Sequence, residues 1–160
     1  MRIGTGIVKL TYEEQQIARL IAKMRTDTNK SAGTHKNWGS KDPYEIDLIS
    51  FGAEMAWAKT ANLYPDFTTQ IRSGSADFTF GYGGQGDVKW TGMEPPRPLV
   101  KVHKVNDPYD LYVLMTGQFP EYEIQGFATK DQIFNARIKD YGYGDTYTMF
   151  LDELLTEVDI

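Results

Sequence analysis

The chain has 160 residues, 41% of them hydrophobic and 24% charged, which suits one ordinary domain with a substantial core. Lys and Arg number 17 against 22 Asp and Glu, a net charge of -5, which argues against a protein that coats polyanions by bulk charge while leaving room for local basic patches. Cysteine is absent, which removes disulfides, thiolate zinc sites, iron–sulfur clusters and a Cys nucleophile.

No run approaches the roughly 18 apolar residues of a membrane span, and the start MRIGTGIVKLTYEEQ lacks a signal-peptide pattern. The expectation is a soluble, intracellular protein, cytoplasmic, with a single domain over residues 1–160.

The first predicted element is a helix over about residues 12–25. Thr11 and Glu14 form a T-x-x-E capping box, and Ile17, Leu20, Ile21 and Met24 follow at helical spacing. The polar stretch 26–40 is predicted as a mobile loop. A second helix starts at Asp42-Pro43, with Asp as N-cap, Pro at the first helical position and Glu45 at the capping-box position. Ile46, Ile49, Ala53, Ala56, Trp57 and Ala61 make its apolar stripe, and Pro65 is the predicted terminator.

Beyond Pro65 the pattern turns to strands: ADFTF, DVKWT, PLVKVHKV, DLYVLMTG and YEIQGFA, separated by Gly, Pro or Asn-Asp. The last three read as a meander. Tyr112 to Met115 is apolar without alternation, which predicts burial on both faces. Thr129 to Gln132 is a further cap pattern, opening a short helix to about residue 137. A final helix is predicted over residues 147–157, carrying Phe150, Leu151, Leu154 and Leu155. The order of elements reads as an α+β or mixed α/β fold.

Four residues carry the chemistry: Glu54, Asp77, Asp87 and Lys89. Residues i and i+2 of a strand share a face, so Asp87 and Lys89 in GDVKWT lie side by side. Between Asp77 and Asp87 the sequence GYGGQG suits a tight turn between antiparallel strands. A turn centred near Tyr82 puts Asp77 opposite Asp87, and directly opposed residues lie about 5 Å apart. Two close carboxylates are unfavourable unless a cation neutralises them. Oxygen ligands without Cys or clustered His favour a hard ion, Mg²⁺ or Mn²⁺. A neighbouring lysine can orient or help deprotonate an attacking water, or neutralise developing phosphate charge.

An acidic residue in an early helix (Glu54 in GAEMAWAK), then Asp77 in ADFTF, then Asp87-Val88-Lys89 on the next strand, resembles the PD-(D/E)XK nuclease superfamily. RPLVKVHKV and the strands after it are similar to those of small, often phage-encoded members. The likeness covers roughly residues 38–129. The residue before Asp77 is Ala76 rather than the Pro of the motif; a literal Pro65-Asp66 makes Asp66 the fallback for Asp77.

The resemblance implies a mixed central sheet flanked by helices, as in restriction endonucleases, and Mg²⁺- or Mn²⁺-dependent cleavage of DNA. It implies Asp77 and Asp87 as metal ligands with the Val88 carbonyl, Glu54 as a ligand directly or through water, and Lys89 positioning the water. DNA is the implied partner and a homodimer an implied assembly; for a viral member the compartment is the host cytoplasm.

Arg97, Lys101, His103 and Lys104 form the densest basic stretch. Lys101 and His103, predicted on one strand face, are with Arg97 the candidate nucleic-acid contacts. His35, Lys36, Trp38 and Tyr44 are weaker candidates of the same kind, and Trp57 and Trp90 are assigned to the core. GYGGQG lacks the G-K-[ST] and following helix of a phosphate loop. Asp87-x-Lys89 alone reads first as a solvated strand face, and Glu54 alone as a surface Glu paired with Lys59 or a neighbour. A catalytically inactive nuclease-fold protein that binds nucleic acid or a protein partner, and a structural protein that mimics the motif, remain open alternatives.

Overall fold

The computed structural model describes residues 1–34, 39–71, 75–81, 83–106 and 108–160. The chain begins with two strands that the sequence does not announce, β1 (Arg2–Gly4) and β2 (Gly6–Lys9). Both are short and Gly-rich, and their hydrogen-bond partners lie far along the chain. β1 pairs with β10 (Glu157–Asp159), and β2 pairs with β7 (Glu121–Thr129).

Helix α1 (Tyr12–Ala32) opens with the expected Thr11–Glu14 capping box but runs past Arg25. Thr26 does not break it, because its hydroxyl is buried against the next helix. That hydroxyl donates to Asp47 Oδ2 at 2.6 Å and lies 2.9 Å from the Ala22 carbonyl. Gly33, at φ 70, turns left-handed and stops the helix. The predicted loop therefore shrinks; residues 35–38, with His35, Lys36 and Trp38, lie outside the described residues. The inward face also differs from expectation. Ala18, Ala22, Arg25 and Thr26 are buried, whereas Ile17, Leu20 and Met24 are exposed.

Helix α2 (Pro43–Ala61) starts after an extended Asp42 whose side chain makes no capping bond. Pro43 thus sets the start, and Glu45 closes no box. The helix ends at Ala61 because Asn62 adopts φ 54, before Pro65 is reached. Phe51, Ala53, Ala56 and Trp57 are fully buried; two are alanines and two carry planar rings, which lets α2 lie close on the sheet.

That sheet has five strands in the order β2-β7-β6-β4-β3, with β3 (Phe78–Phe80), β4 (Gly84–Trp90) and β6 (Leu111–Gln118). Only β4 and β6 run parallel; the other pairs are antiparallel. The fold is α+β with a mixed central sheet, as the order of elements predicts. On β6, Val113 and Met115 join the core with Phe51, Trp57 and Phe127. Tyr112 and Leu114 join a second core with Val100, Ile133 and Met149. Burial on both faces explains the unalternating apolar run of this strand.

The second core lies under a three-stranded sheet of β5 (Leu99–Lys101), β8 (Arg137–Asp140) and β9 (Asp145–Thr148), in the order β5-β9-β8. This arrangement corrects two expectations. The predicted 98–105 strand stops at Lys101, becomes a 3₁₀ turn (Val102–Asn106), and pairs with β9, so the meander is confined to β6 and β7. The predicted 147–157 helix is absent: residues 145–148 are strand, Leu151–Glu153 a 3₁₀ turn and 157–159 strand. Thr146 and Thr148 are buried in the ladder, and Leu155 bridges to Phe127. The leucine spacing there matches a helix, but distant strands supply the backbone partners. The Thr129–Gln132 capping box does open a helix, α3 (Lys130–Phe134), shorter than predicted.

Candidate active site

The β3–β4 register pairs Phe78 with Gly86, Thr79 with Gln85 and Phe80 with Gly84. One step further it sets Asp77 opposite Asp87, the juxtaposition read from the turn sequence. Gly86 makes this hairpin possible in tight form, because a side chain there would collide with the Phe78 ring. Asp77 has already left the strand. Its N–H still donates to the Gly86 carbonyl at 3.0 Å, while its carboxylate turns to the strand edge and accepts the Val88 N–H at 2.8 Å. Asp77 Oδ2 thus stands where a neighbouring strand's carbonyl would otherwise be.

Asp87 and Lys89 share a face, as period two requires, with Lys89 Nζ 2.8 Å from Asp87 Oδ2. That oxygen is buried and has no aligned hydrogen-bond donor among the described residues, so the contact is an ion pair of charges. The Lys89 side chain is 35% exposed and that of Asp87 13%. Desolvation pulls the Lys89 pKa down, but the Asp87 carboxylate, with smaller contributions from Asp77 and Tyr112, more than offsets it and holds the pKa above the ordinary lysine value. Lys89 is therefore an ammonium at neutral pH and cannot serve as a base in this state. Burial likewise pushes the Tyr112 phenol up, while its hydroxyl oxygen accepts the Tyr109 N–H at 3.1 Å.

Parallel register places Asp87 beside Tyr112 and Lys89 beside Leu114, on the face away from α2. Glu54 comes from α2, on the other face. The two sides meet because β3 begins only at Phe78, and no strand among the described residues pairs with the 87–90 edge of β4. A cavity of about 550 Å³ opens around that edge. Glu54, Asp77, Asp87, Val88 and Lys89 all line it.

Glu54 is held by Arg25, whose Nη1 donates to Glu54 Oε2 at 3.1 Å; the two side chains are 10% and 11% exposed. The same guanidinium donates to the carbonyls of Asp66 at 2.7 Å and Thr68 at 2.9 Å, tying the segment after α2 to both helices. Lys59, the alternative partner read from sequence, pairs with Glu14 instead at 2.8 Å. Sequence reasoning passed over Arg25. The available signal was its place on the Ala18, Ala22, Thr26 face, where an arginine needs a buried partner. Asp66, the fallback for Asp77, accepts the Thr68 N–H on Oδ1 and is not part of the cavity wall.

The basic candidates separate. Lys101 lines the cavity. His103 does not: strand period two fails beyond Lys101 because the chain turns into the 3₁₀ segment, and Lys104 reaches the wall in its place. Arg97 is occupied elsewhere, donating to the Tyr141 hydroxyl at 2.8 Å and lying over the Phe150 ring. Trp57 is fully buried. Trp90 is half-buried on the cavity wall, its Nε1 donating to the Gly117 carbonyl at 3.0 Å.

Among the described residues no three Asp, Glu or His side chains are grouped so as to hold one metal ion. The donor chemistry is nevertheless that of a hard cation: carboxylate oxygens at opposed positions, one of them the buried Asp87 Oδ2 without an aligned donor. The Val88 carbonyl points the same way as its N–H, toward the open edge, since both groups of one strand residue project to one side. No helix among the described residues is long and apolar enough to cross a membrane. No family model, curated protein or solved structure matches this chain.

Proposed function

We propose that this chain is a metal-dependent nuclease that hydrolyses phosphodiester bonds in DNA, as an endonuclease of the PD-(D/E)XK type. The observation that carries the reading is the shared cavity. An acid from α2, two acids from opposed positions of the β3–β4 hairpin and the lysine beside them all open onto one space. A chance D-x-K on a solvated strand has no reason to gather the other two acids.

Asp77, Asp87 and the Val88 carbonyl would hold Mg²⁺ or Mn²⁺, and Glu54, kept in place by Arg25, would complete the shell through water. The bound ion would supply Lewis acidity toward the phosphate and a more acidic water. The ammonium of Lys89 orients that water and offsets charge developing on the phosphate.

One observation favours the second reading, a nuclease-fold protein that binds nucleic acid without cutting it. Arg25 neutralises Glu54 and Lys89 neutralises Asp87, so the site is stable without a cation. Incubation of supercoiled plasmid with the protein and Mg²⁺ or Mn²⁺ separates the two. Nicking or linearisation by wild type, abolished by EDTA and by Asp87→Asn, is the expected result. No cleavage by wild type, or equal cleavage by Lys89→Ala, would remove the enzyme reading.

A further inference from the structure

We infer that Lys101 and Lys104 form the phosphate-holding wall of the cavity, gripping a strand phosphate beside the one that faces Asp77 and Asp87; this rests on the proposed nuclease reading of the site.

The argument begins with charge. Among the described residues, the cavity wall carries four cations (Arg25, Lys89, Lys101, Lys104) and four acids (Asp47, Glu54, Asp77, Asp87). Arg25 is spent on Glu54, and Lys89 on Asp87. Lys101 and Lys104 make no ion pair with any described residue; Lys101 helps only to lower the pKa of exposed Asp140, after that carboxylate's own backbone hydrogen bonds. Among the described residues of the wall, they are the cations left to meet a ligand.

Their placement is fixed by the fold. Lys101 ends β5, which is tied to β9 by the Lys101–Thr146 pairing. Lys104 follows one 3₁₀ turn later, a spacing that keeps the two on one side of the chain. Val100, next to Lys101 in β5, is buried in the second core, so the wall is anchored rather than a loop tip. The protein as a whole is negative and repels a polyanion. Two uncompensated ammonium groups concentrated at the site are what reverses that repulsion locally.

The test is binding of a short fluorescein-labelled DNA duplex in EDTA, followed by anisotropy across a salt series, with cleavage kinetics in Mn²⁺ alongside. The Lys101→Ala/Lys104→Ala protein is expected to bind about 10-fold more weakly or worse, and to lower the log–log salt slope by about 1 to 2 relative to wild type. KM should rise while kcat changes little. Lys101→Arg/Lys104→Arg should restore the slope, and Lys23→Ala, at a surface lysine paired with Asp27, should leave it unchanged. A structural role would not be read as a salt slope.

An unchanged slope in the double variant overturns the inference even if wild type cleaves. A lysine-dependent slope in a wild type that binds but never cleaves upholds it and removes the nuclease reading. A wild type with no affinity for DNA removes both.

Discussion

The Asp77 carboxylate accepts the Val88 N–H at 2.8 Å, so one candidate metal ligand also completes the hydrogen bonding of the strand that carries the others. The two duties separate by substitution. Asp77→Asn keeps an acceptor oxygen for Val88 but loses the charge. Asp77→Ala leaves the N–H without its partner, which costs about 1–3 kcal/mol where the group stays dry. We expect urea denaturation to show near wild-type stability for the Asn variant and a clear loss for the Ala variant. Both should lose Mn²⁺ binding by calorimetry. Equal stability of the two would mean that the Val88 contact contributes nothing.

Arg25 is predicted to matter more to stability than any surface ion pair of the chain. Its removal takes from Glu54, 11% exposed, the Arg25 contact, and frees the Asp66 and Thr68 carbonyls from that guanidinium. Breaking a buried pair from one side typically costs about 3–5 kcal/mol. Arg25→Met should therefore lower the denaturation midpoint far more than Arg2→Met, whose partners Glu157 and Asp159 are solvent-exposed. Arg25→Met/Glu54→Gln should recover part of the loss, since the buried carboxylate charge that Arg25 faced goes with it.

Gly52 lets α2 approach β7. A side chain at this position would run into the Tyr122 hydroxyl and ring and the Phe119 ring, while that hydroxyl donates to the Ile49 carbonyl at 3.0 Å. Gly52→Ala should destabilise by about 1–3 kcal/mol, the usual cost of overpacking. Tyr122→Phe removes the closest colliding atom, so the double variant should be less destabilised than the sum of the singles. Strict additivity in thermal unfolding would show that the helix moves away instead.

Glu14 predicts a pH dependence. Burial raises its pKa, but Lys59 and the Thr11 cap together outweigh this and leave it below its ordinary value of 4.5. A carboxyl depressed in the folded state binds its proton first in the unfolded chain. Its stabilising contribution is complete above the unfolded value and is lost as pH falls through the folded one. The wild type should lose stability over this acid range more steeply than Glu14→Gln, with the two curves parallel near neutrality. Parallel curves throughout would show that the Lys59 pair and the cap do not favour the charged form.

Much of this architecture was legible along the chain. The capping boxes at Thr11 and Thr129 start helices because their donors and acceptors lie three residues apart. The turn GYGGQG sets Asp77 against Asp87 because hairpin register is a local count. Period two puts Lys89 next to Asp87. Each of these rests on hydrogen bonds or side-chain directions fixed within a few residues.

What depended on distant partners was not legible. The strand over 145–148 and the two N-terminal strands exist because remote segments hydrogen-bond to them, and the helical leucine spacing of 147–157 was overridden by that pairing. Arg25 became the partner of Glu54 only when two helices packed together, and Lys104 displaced His103 from the cavity when the chain left its strand at Lys101. The sequence by itself determined which acids and which lysine stand near one another on the hairpin. Tertiary packing alone decided what surrounds them, because a cavity is made of walls whose closeness in space has no counterpart in sequence separation.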